Sequence, residues 1–166
     1  MLLKAQLFAA VIAFSCVTQI GTMPQLISYA DAHEAADDDD FAAGEAGDPS
    51  KPFRVQEITI SEKDGAMLYE PAEVDVKLGE QVKFVIHNGG SLKHEFHLAS
   101  VEQNANHRIE MQKNPEMEHD DPNVQTVQPG KDAIMLWRFS KPGEFEFACL
   151  IPGHYEAGMH GKAVVK

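Results

Sequence analysis

Apolar and polar residues alternate along much of the chain after residue 52, as they do in strands with one buried face. Short turns that contain Gly, Pro, Asn or Asp, among them "QPGK" and "KPGE", separate these segments. The segments are "FRVQEITI", "AMLYEPAEVDVKL", "EQVKFVIHN", "HEFHLA", "VQTVQP", "AIMLWRF", "EFEFAC" and "GKAVVK". The pattern predicts an all-β fold, an antiparallel β-sandwich of about eight strands.

One segment, residues 100–123, interrupts the strand pattern. Its sequence, "SVEQNANHRIEMQKNPEMEHDDPN", lacks alternation and is rich in His, Met, Glu and Asn. We predict a helical or irregular excursion between two strands, with a helix from Val101 to Lys113 that ends before Pro115. Such an excursion on a compact sandwich either carries function or caps one end of the core.

The first 32 residues are predicted to be a signal peptide. Lys4 precedes the apolar run "LFAAVIAFSCV", which is too short to span a membrane, and "ADA" at residues 30–32 is a small-residue cleavage site. Cleavage after Ala32 leaves a mature chain that starts at His33 and has no membrane span. An uncleaved membrane anchor is the alternative.

The segment that follows, residues 33–52, is predicted to be a flexible acidic tail. Residues 33–50 hold seven acidic residues and no basic one, and large apolar residues are nearly absent. The other −5 of the net charge of −12 belongs to residues 51–166. This negative charge argues against nucleic acid or anionic lipid as a partner. The folded domain is expected to span residues 53–166.

The mature chain would keep a single cysteine, Cys149, so that no internal disulfide can form. In an oxidising compartment such a thiol needs burial or a metal. Cys149 stands in "FACLIPGHYEAGM", where His154 and Met159 follow at intervals of five residues. Two histidines, a cysteine and a weak axial methionine are the ligands of blue-copper sites. One histidine is still missing from this segment.

The second histidine is expected from the upstream segment "HNGGSLKHEFHLAS". It offers His87, His94 and His97, and strand alternation places the last two on opposite faces. We prefer His94, because Phe96 and Leu98 share its face and would carry the core beneath it.

These two segments resemble the cupredoxin family, which includes plastocyanin, azurin, pseudoazurin and auracyanin, and more closely the bacterial periplasmic copper-tolerance cupredoxins. The resemblance rests on "NGGSLKHEF" and "FACLIPGHYEAGMHGKAVV" and covers about residues 55–166. It implies a Greek-key sandwich of eight strands and one copper ion that cycles between Cu(I) and Cu(II). The implied metal ligands are His94, Cys149, His154 and Met159.

We also expect features around these ligands. Backbone N–H groups near Asn88 and Glu95 are expected to donate to the Cys149 sulfur. His160 and Tyr155 are expected to face solvent.

The function expected is one-electron transfer in the periplasm by a mononuclear type 1 copper protein that is not an enzyme. Nothing marks an oxyanion site for a Cys–His nucleophile, and the single domain lacks the paired His-x-His ligands of multicopper oxidases. Zinc is chemically possible, but the methionine favours copper. We expect a monomer whose partners are periplasmic redox or copper-donor proteins.

A second hypothesis is copper tolerance by binding or buffering periplasmic copper at accessory sites. Candidate ligands in the excursion are His107, Met111, Met117 and His119, and the first two would share a helix face at positions i and i+4. The N-terminal amine and imidazole of His33 are a further candidate. The alternative is that these residues form a polar cap with incidental His and Met.

Overall fold

The structure, a computed structural model, describes residues 41–166. The predicted signal peptide and residues 33–40 lie outside this range. In chain order the elements are β1 (Glu45–Ala46), β2 (Arg54–Lys63), β3 (Ala66–Glu70), β4 (Glu73–Val76), β5 (Gln81–Asn88), β6 (His94–Ala99), α1 (Val101–Lys113), β7 (Val124–Val127), β8 (Asp132–Arg138), β9 (Gly143–Ala148) and β10 (His160–Val165). Within residues 41–166 no helix combines the length and the apolar character needed to cross a membrane.

Two five-stranded sheets form a sandwich, which confirms the predicted all-β fold. The strand orders are β1-β8-β5-β2-β3 and β4-β10-β9-β6-β7. Most neighbours are antiparallel, but β2 runs parallel to β5 and β4 runs parallel to β10. The sandwich is therefore mixed rather than purely antiparallel.

The strand count is ten rather than about eight for two reasons. The segment predicted over residues 66–78 is split, since Pro71 has no N–H to continue a ladder and the chain passes from β3 in one sheet to β4 in the other. The remaining extra strand, β1, comes from the segment expected to be a tail.

Residues 41–52 do not behave as the flexible tail that the sequence suggested. The Phe41 ring meets Trp137 edge-on at 5.4 Å between ring centroids, and Ala43 is fully buried. Strand β1 pairs with β8, and Glu45 binds Arg138 at 2.6 Å. The domain therefore begins before residue 53. The segment is acidic overall, but burial of Phe41 against the domain stabilises its packed position.

The core lies between the two sheets, where alternate strand residues point inward. Ile58 and Phe84 come from one sheet, while Phe96 and Phe147 come from the other, and all four are fully buried. The Phe84 and Phe96 rings meet across the sandwich at 5.3 Å between centroids. Phe96 stacks on Phe147 at 5.0 Å. These aromatic contacts fix β6 and β9, the strands that carry His94 and lead to Cys149.

The excursion contains the predicted helix with the predicted bounds, Val101–Lys113. Ser100 is its N-cap and forms a capping box with Gln103, so that the first free N–H groups are satisfied. The helix ends at Lys113. Asn114 follows, and because it precedes Pro115, helical backbone angles are unfavourable there.

Helix α1 packs on the outer face of the second sheet, close to the end of β9. Met111 is buried against Ala148 and Leu150, the two residues that flank Cys149. The Asn104 amide donates to the Glu146 carboxylate at 2.9 Å in a buried contact. The excursion is thus anchored directly behind the residue that carries the thiol.

Candidate metal centre

Three of the four predicted ligands lie at strand ends, and the fourth lies in a loop between two of those strands. His94 is the first residue of β6, Cys149 follows β9, and Met159 immediately precedes β10. His154 lies in the loop of residues 150–158 that joins β9 to β10. Strand pairing of β9 with both β6 and β10 brings these separate pieces of chain together.

The structure brings the ligand atoms of His94, Cys149 and His154 within 4.8 Å of one another. The Cys149 Sγ lies 3.3 Å from the His154 Nδ1, and the two imidazole centroids are 5.0 Å apart. Met159 is fully buried in the same core cluster as Cys149. Its backbone N–H donates to the His154 carbonyl at 3.1 Å. The ligand atoms of three of the four predicted residues therefore converge, and the fourth residue, Met159, is joined to Cys149 and His154 by backbone hydrogen bonds.

The loop between Cys149 and Met159 is closed by its own turns. The His154 N–H donates to the Ile151 carbonyl at 3.0 Å. Gly153 and Gly158 have φ values of +91° and +100°, which only glycine adopts readily. Two glycines thus fold the short loop so that His154 points back towards Cys149.

Burial controls the state of the Cys149 thiol. Burial raises the pKa of Cys149 to about 12, although N–H groups of Glu95 and Ile151 act in the opposite direction. The Glu95 N–H lies 3.3 Å from the sulfur, as expected. The expectation for Asn88 is wrong, because its N–H donates to the Lys131 carbonyl instead. A thiol of this kind is deprotonated by a metal ion that displaces its proton.

His94 is shaped to offer one nitrogen to a metal. The side chain is fully buried, and its Nε2 lies 3.0 Å from a Glu62 carboxylate oxygen. Its Nδ1 is buried without a hydrogen-bond partner among the described residues. A free buried nitrogen beside a thiol and a second imidazole is a donor set that fits copper.

The other histidines of the expected set occupy different surroundings. His87 is partly exposed and binds Asp132 at 2.8 Å, and it does not belong to the group of His94, Cys149 and His154. His97 was expected on the face of β6 opposite to His94, and its ring lies 5.1 Å from that of His107 of α1, between centroids. Burial lowers the pKa of His97 to about 4. His160 is exposed, as expected. The expectation for Tyr155 is wrong, because it is half-buried, with its hydroxyl donating to Glu146 at 3.0 Å.

A second cluster forms where the excursion returns to the sheet. The Nε2 atoms of His107 and His119 lie 3.2 Å apart, and the His119 Nε2 lies 3.3 Å from the Met111 Sδ. The His97 ring lies 5.1 Å from the His107 ring between centroids. Met117 packs against the small apolar cluster that contains Met111. Three of the four predicted accessory residues are therefore in direct contact.

Burial keeps the imidazoles of this cluster neutral. It lowers the pKa of His107, and the neighbouring charge of His119 adds to the effect. Burial likewise lowers the pKa of His119. Because neutral imidazole is the form that ligates metals, the pair is available near neutral pH. His33, the other accessory candidate, lies outside the described residues.

Glu62 contacts the site but was not predicted from the sequence. Glu62 belongs to β2, but its carboxylate contacts His94 of β6, which lies in the opposite sheet. A glutamate near the end of a strand looks like an ordinary surface residue, and the contact joins positions 32 residues apart. Local patterning contains no signal for such a pairing.

Comparison with known proteins agrees with this geometry. Residues 56–166 match a family model described as copper binding proteins, plastocyanin/azurin family. The copper-resistant cuproprotein CopI of Rubrivivax gelatinosus is 43% identical over 139 residues, covering 84% of this chain and 81% of that protein. The CopI of Pseudomonas aeruginosa is 34% identical over 154 residues, covering 75% of this chain and 83% of that protein. These relatives are named as metal-binding proteins and not as enzymes.

The fold is similar to that of a solved copper protein. Auracyanin B superposes with a TM-score of 0.61 at 20% identity, covering 76% of this chain and 98% of that one. At 20% identity this similarity supports only the fold. The cupredoxin resemblance and the expectation of copper are confirmed by the family match and by the His–Cys–His cluster. The chain belongs to the plastocyanin/azurin family of copper-binding proteins.

Proposed function

We propose that this protein holds one copper ion at a type 1 site made by His94, Cys149, His154 and Met159, and that it transfers single electrons in the periplasm as part of copper tolerance. The observation that carries the proposal is the convergence of two imidazoles and one thiol within 4.8 Å. The relatives named copper-resistant cuproproteins support the link to tolerance.

The surroundings of the ligands suit electron transfer. When bound, copper supplies a one-electron couple between Cu(I) and Cu(II). Phe147, Cys149 and Leu150 are fully buried, so that water is kept from the sulfur. Because strand ladders hold His94 and both ends of the ligand loop, these residues keep their places in either redox state. Little reorganisation is then needed when an electron moves.

One ligand reaches the surface. His154 is half-buried, whereas His94, Cys149 and Met159 are fully buried. We therefore propose that periplasmic redox or copper-donor proteins meet the site at the His154 edge.

Absorption spectroscopy of the copper-loaded protein tests the main proposal. The parent is expected to show an intense visible band from thiolate-to-copper charge transfer, and Cys149→Ser is expected to lose it. His94→Ala should also change the band, whereas His87→Ala, a histidine outside the cluster, should leave it unchanged. A parent without the band, or a Cys149→Ser variant that keeps it, contradicts the proposal.

A second candidate function is copper binding by the cluster of His107, Met111 and His119. Two imidazoles and a thioether are soft ligands that suit Cu(I). Their contacts of 3.2 and 3.3 Å show that the three side chains already converge. With this site the protein would store copper as well as carry electrons. The two functions are compatible, because the clusters share no ligand.

Counting bound copper separates a one-site carrier from a two-site buffer. We expect two copper ions per parent chain and one in His119→Gln or Met111→Leu. The leucine keeps the apolar volume that packs on Leu150 while it removes the sulfur. His87→Gln is the matched control. A parent that binds a single ion, with the visible band intact, contradicts the second function and leaves the first standing.

A further inference from the structure

The Glu62 carboxylate is held by several hydrogen-bonding groups from one segment. Its Oε1 accepts the N–H groups of Ser91 at 2.9 Å and Leu92 at 2.8 Å. Its Oε2 accepts the Ser91 hydroxyl at 2.8 Å. The fourth partner is the His94 imidazole, whose Nε2 lies 3.0 Å from Oε1. One side chain from β2 therefore fixes the whole turn that precedes the ligand strand β6.

The backbone around Glu62 is shaped to receive it. A Cβ added at Gly90 would lie 2.3 Å from the Glu62 Oε1 and 2.8 Å from its Cδ. The carboxylate thus occupies space next to the Gly90 backbone that a side chain at this position would need. The Gly90 N–H in turn donates to the Asn88 side chain at 2.9 Å, so that the turn is fixed from both sides.

The contact with Glu62 determines which nitrogen His94 offers to the metal. An ionised carboxylate only accepts hydrogen bonds, so the proton of the neutral imidazole must lie on Nε2. The lone pair is then on Nδ1, the buried nitrogen that has no partner among residues 41–166. A carboxylate on the outer N–H also makes the imidazole a stronger electron donor. Stronger donation stabilises Cu(II) more than Cu(I).

We propose that Glu62 is a positioning residue of the copper site, which orients the His94 ring through its Nε2–H and lowers the reduction potential. This inference rests on the proposed type 1 site. The acceptor is a negatively charged side chain that comes from the facing sheet. It therefore acts on the site both through geometry and through charge.

The experiment compares the reduction potentials of copper-loaded variants. Glu62→Gln keeps the size and one acceptor oxygen but removes the charge. We expect the ratio of Cu(II) to Cu(I) affinity to fall about tenfold, which corresponds to a rise in potential of about 59 mV for a one-electron couple. Glu62→Asp restores the charge and is expected to bring the potential back towards the parent value.

The chain offers a matched control in the pair of His87 and Asp132. There too a carboxylate contacts an imidazole, at 2.8 Å, but the histidine is not part of the cluster. Asp132→Asn removes a charge in the same way and is expected to leave the potential unchanged. Nitrogen NMR of the copper-free parent is expected to show His94 protonated at Nε2.

The outcomes separate this inference from the function on which it rests. If the parent shows the charge-transfer band and Glu62→Gln has the parent's potential, the role of Glu62 is overturned and the copper site stands. Equal shifts in Glu62→Gln and Asp132→Asn also overturn it, because the effect would then be general charge. A parent that lacks the band overturns both, and this is seen before any Glu62 variant is measured.

Discussion

The Cys149 N–H donates a hydrogen bond of 3.1 Å to the Met159 carbonyl. Both ends of the ligand loop are thus tied to the start of the β9–β10 ladder, which continues with the pairing of Ala148 and His160. The sandwich therefore sets the positions of Cys149 and Met159. The position of His154 depends instead on the turns inside the loop.

We predict that Gly158→Ala weakens the metal site through the backbone alone. Gly158 has φ +100°, and an added Cβ would have only ordinary contacts, 3.7 Å or more away. Forcing an L-residue into this region costs about 1–2 kcal/mol. We expect a lower melting temperature of the copper-free protein and faster loss of copper to a chelator. Chelator competition followed by absorption measures the second effect.

Gly79→Ala is the control for this prediction. Gly79 has φ +84° and open space around it, and it lies between β4 and β5, outside the ligand segments. A similar loss of stability is expected, but the rate of copper loss should match the parent. Equal copper loss in both variants would show that global stability, and not the loop, controls release.

We predict that Asn104 attaches α1 to the sheet. Its amide is buried and donates to Glu146 at 2.9 Å. Asn104→Ala leaves the buried carboxylate without this donor, which costs about 1–3 kcal/mol. Urea unfolding should show this loss, and binding at the His107 and His119 cluster should weaken because His107 lies on the same helix.

Asn106→Ala is the matched control on the same helix. Asn106 is exposed and alanine favours helix, so the stability should stay the same or rise slightly. If both asparagine variants lose equal stability, helix content rather than the Glu146 contact explains the result.

We predict that Glu80 makes the fold sensitive to acid. Partial burial alone would raise the pKa of Glu80, but hydrogen bonds from Arg54 and from the Lys77 N–H outweigh it and lower the pKa below 4.5. The unfolded chain binds more protons below that pH, so the stabilisation present above pH 4.5 is lost as the pH falls through the lower pKa of the folded state.

Glu80→Gln tests this linkage. We expect the variant to be about 1 kcal/mol less stable than the parent at neutral pH. The difference should shrink as the pH is lowered below 4.5. Urea unfolding at several pH values measures it, and Glu57→Gln, which changes an exposed glutamate of β2, should show no such trend. A difference that stays constant with pH would contradict the prediction.

Much of the fold was predictable because alternation records which face of a strand is buried. The same pattern placed His94 with Phe96 and Leu98, and His97 on the other side. The proline at 115 likewise predicted where α1 ends. These features depend on neighbours in the sequence.

The unpredicted features depend on contacts between distant residues. Nothing near Glu62 in sequence indicates that its carboxylate meets His94, and nothing near Phe41 indicates that its ring meets Trp137. The composition of residues 100–123 predicted several candidate ligands. Which of them meet depends on how the chain after α1 folds back, and this brings His119 to His107 and Met111. Chain topology, rather than local pattern, determines such pairs.

The short strand β1 has a consequence for how the protein behaves in solution. By pairing with β8 it occupies hydrogen-bonding groups that would otherwise lie open along the border of the sheet. Without β1 the backbone groups of β8 near Trp137 and Arg138 would be free, on a strand where Ile134 is already exposed. We expect proteolytic trimming beyond residue 46 to promote self-association, which makes the end of the acidic segment a guard against aggregation.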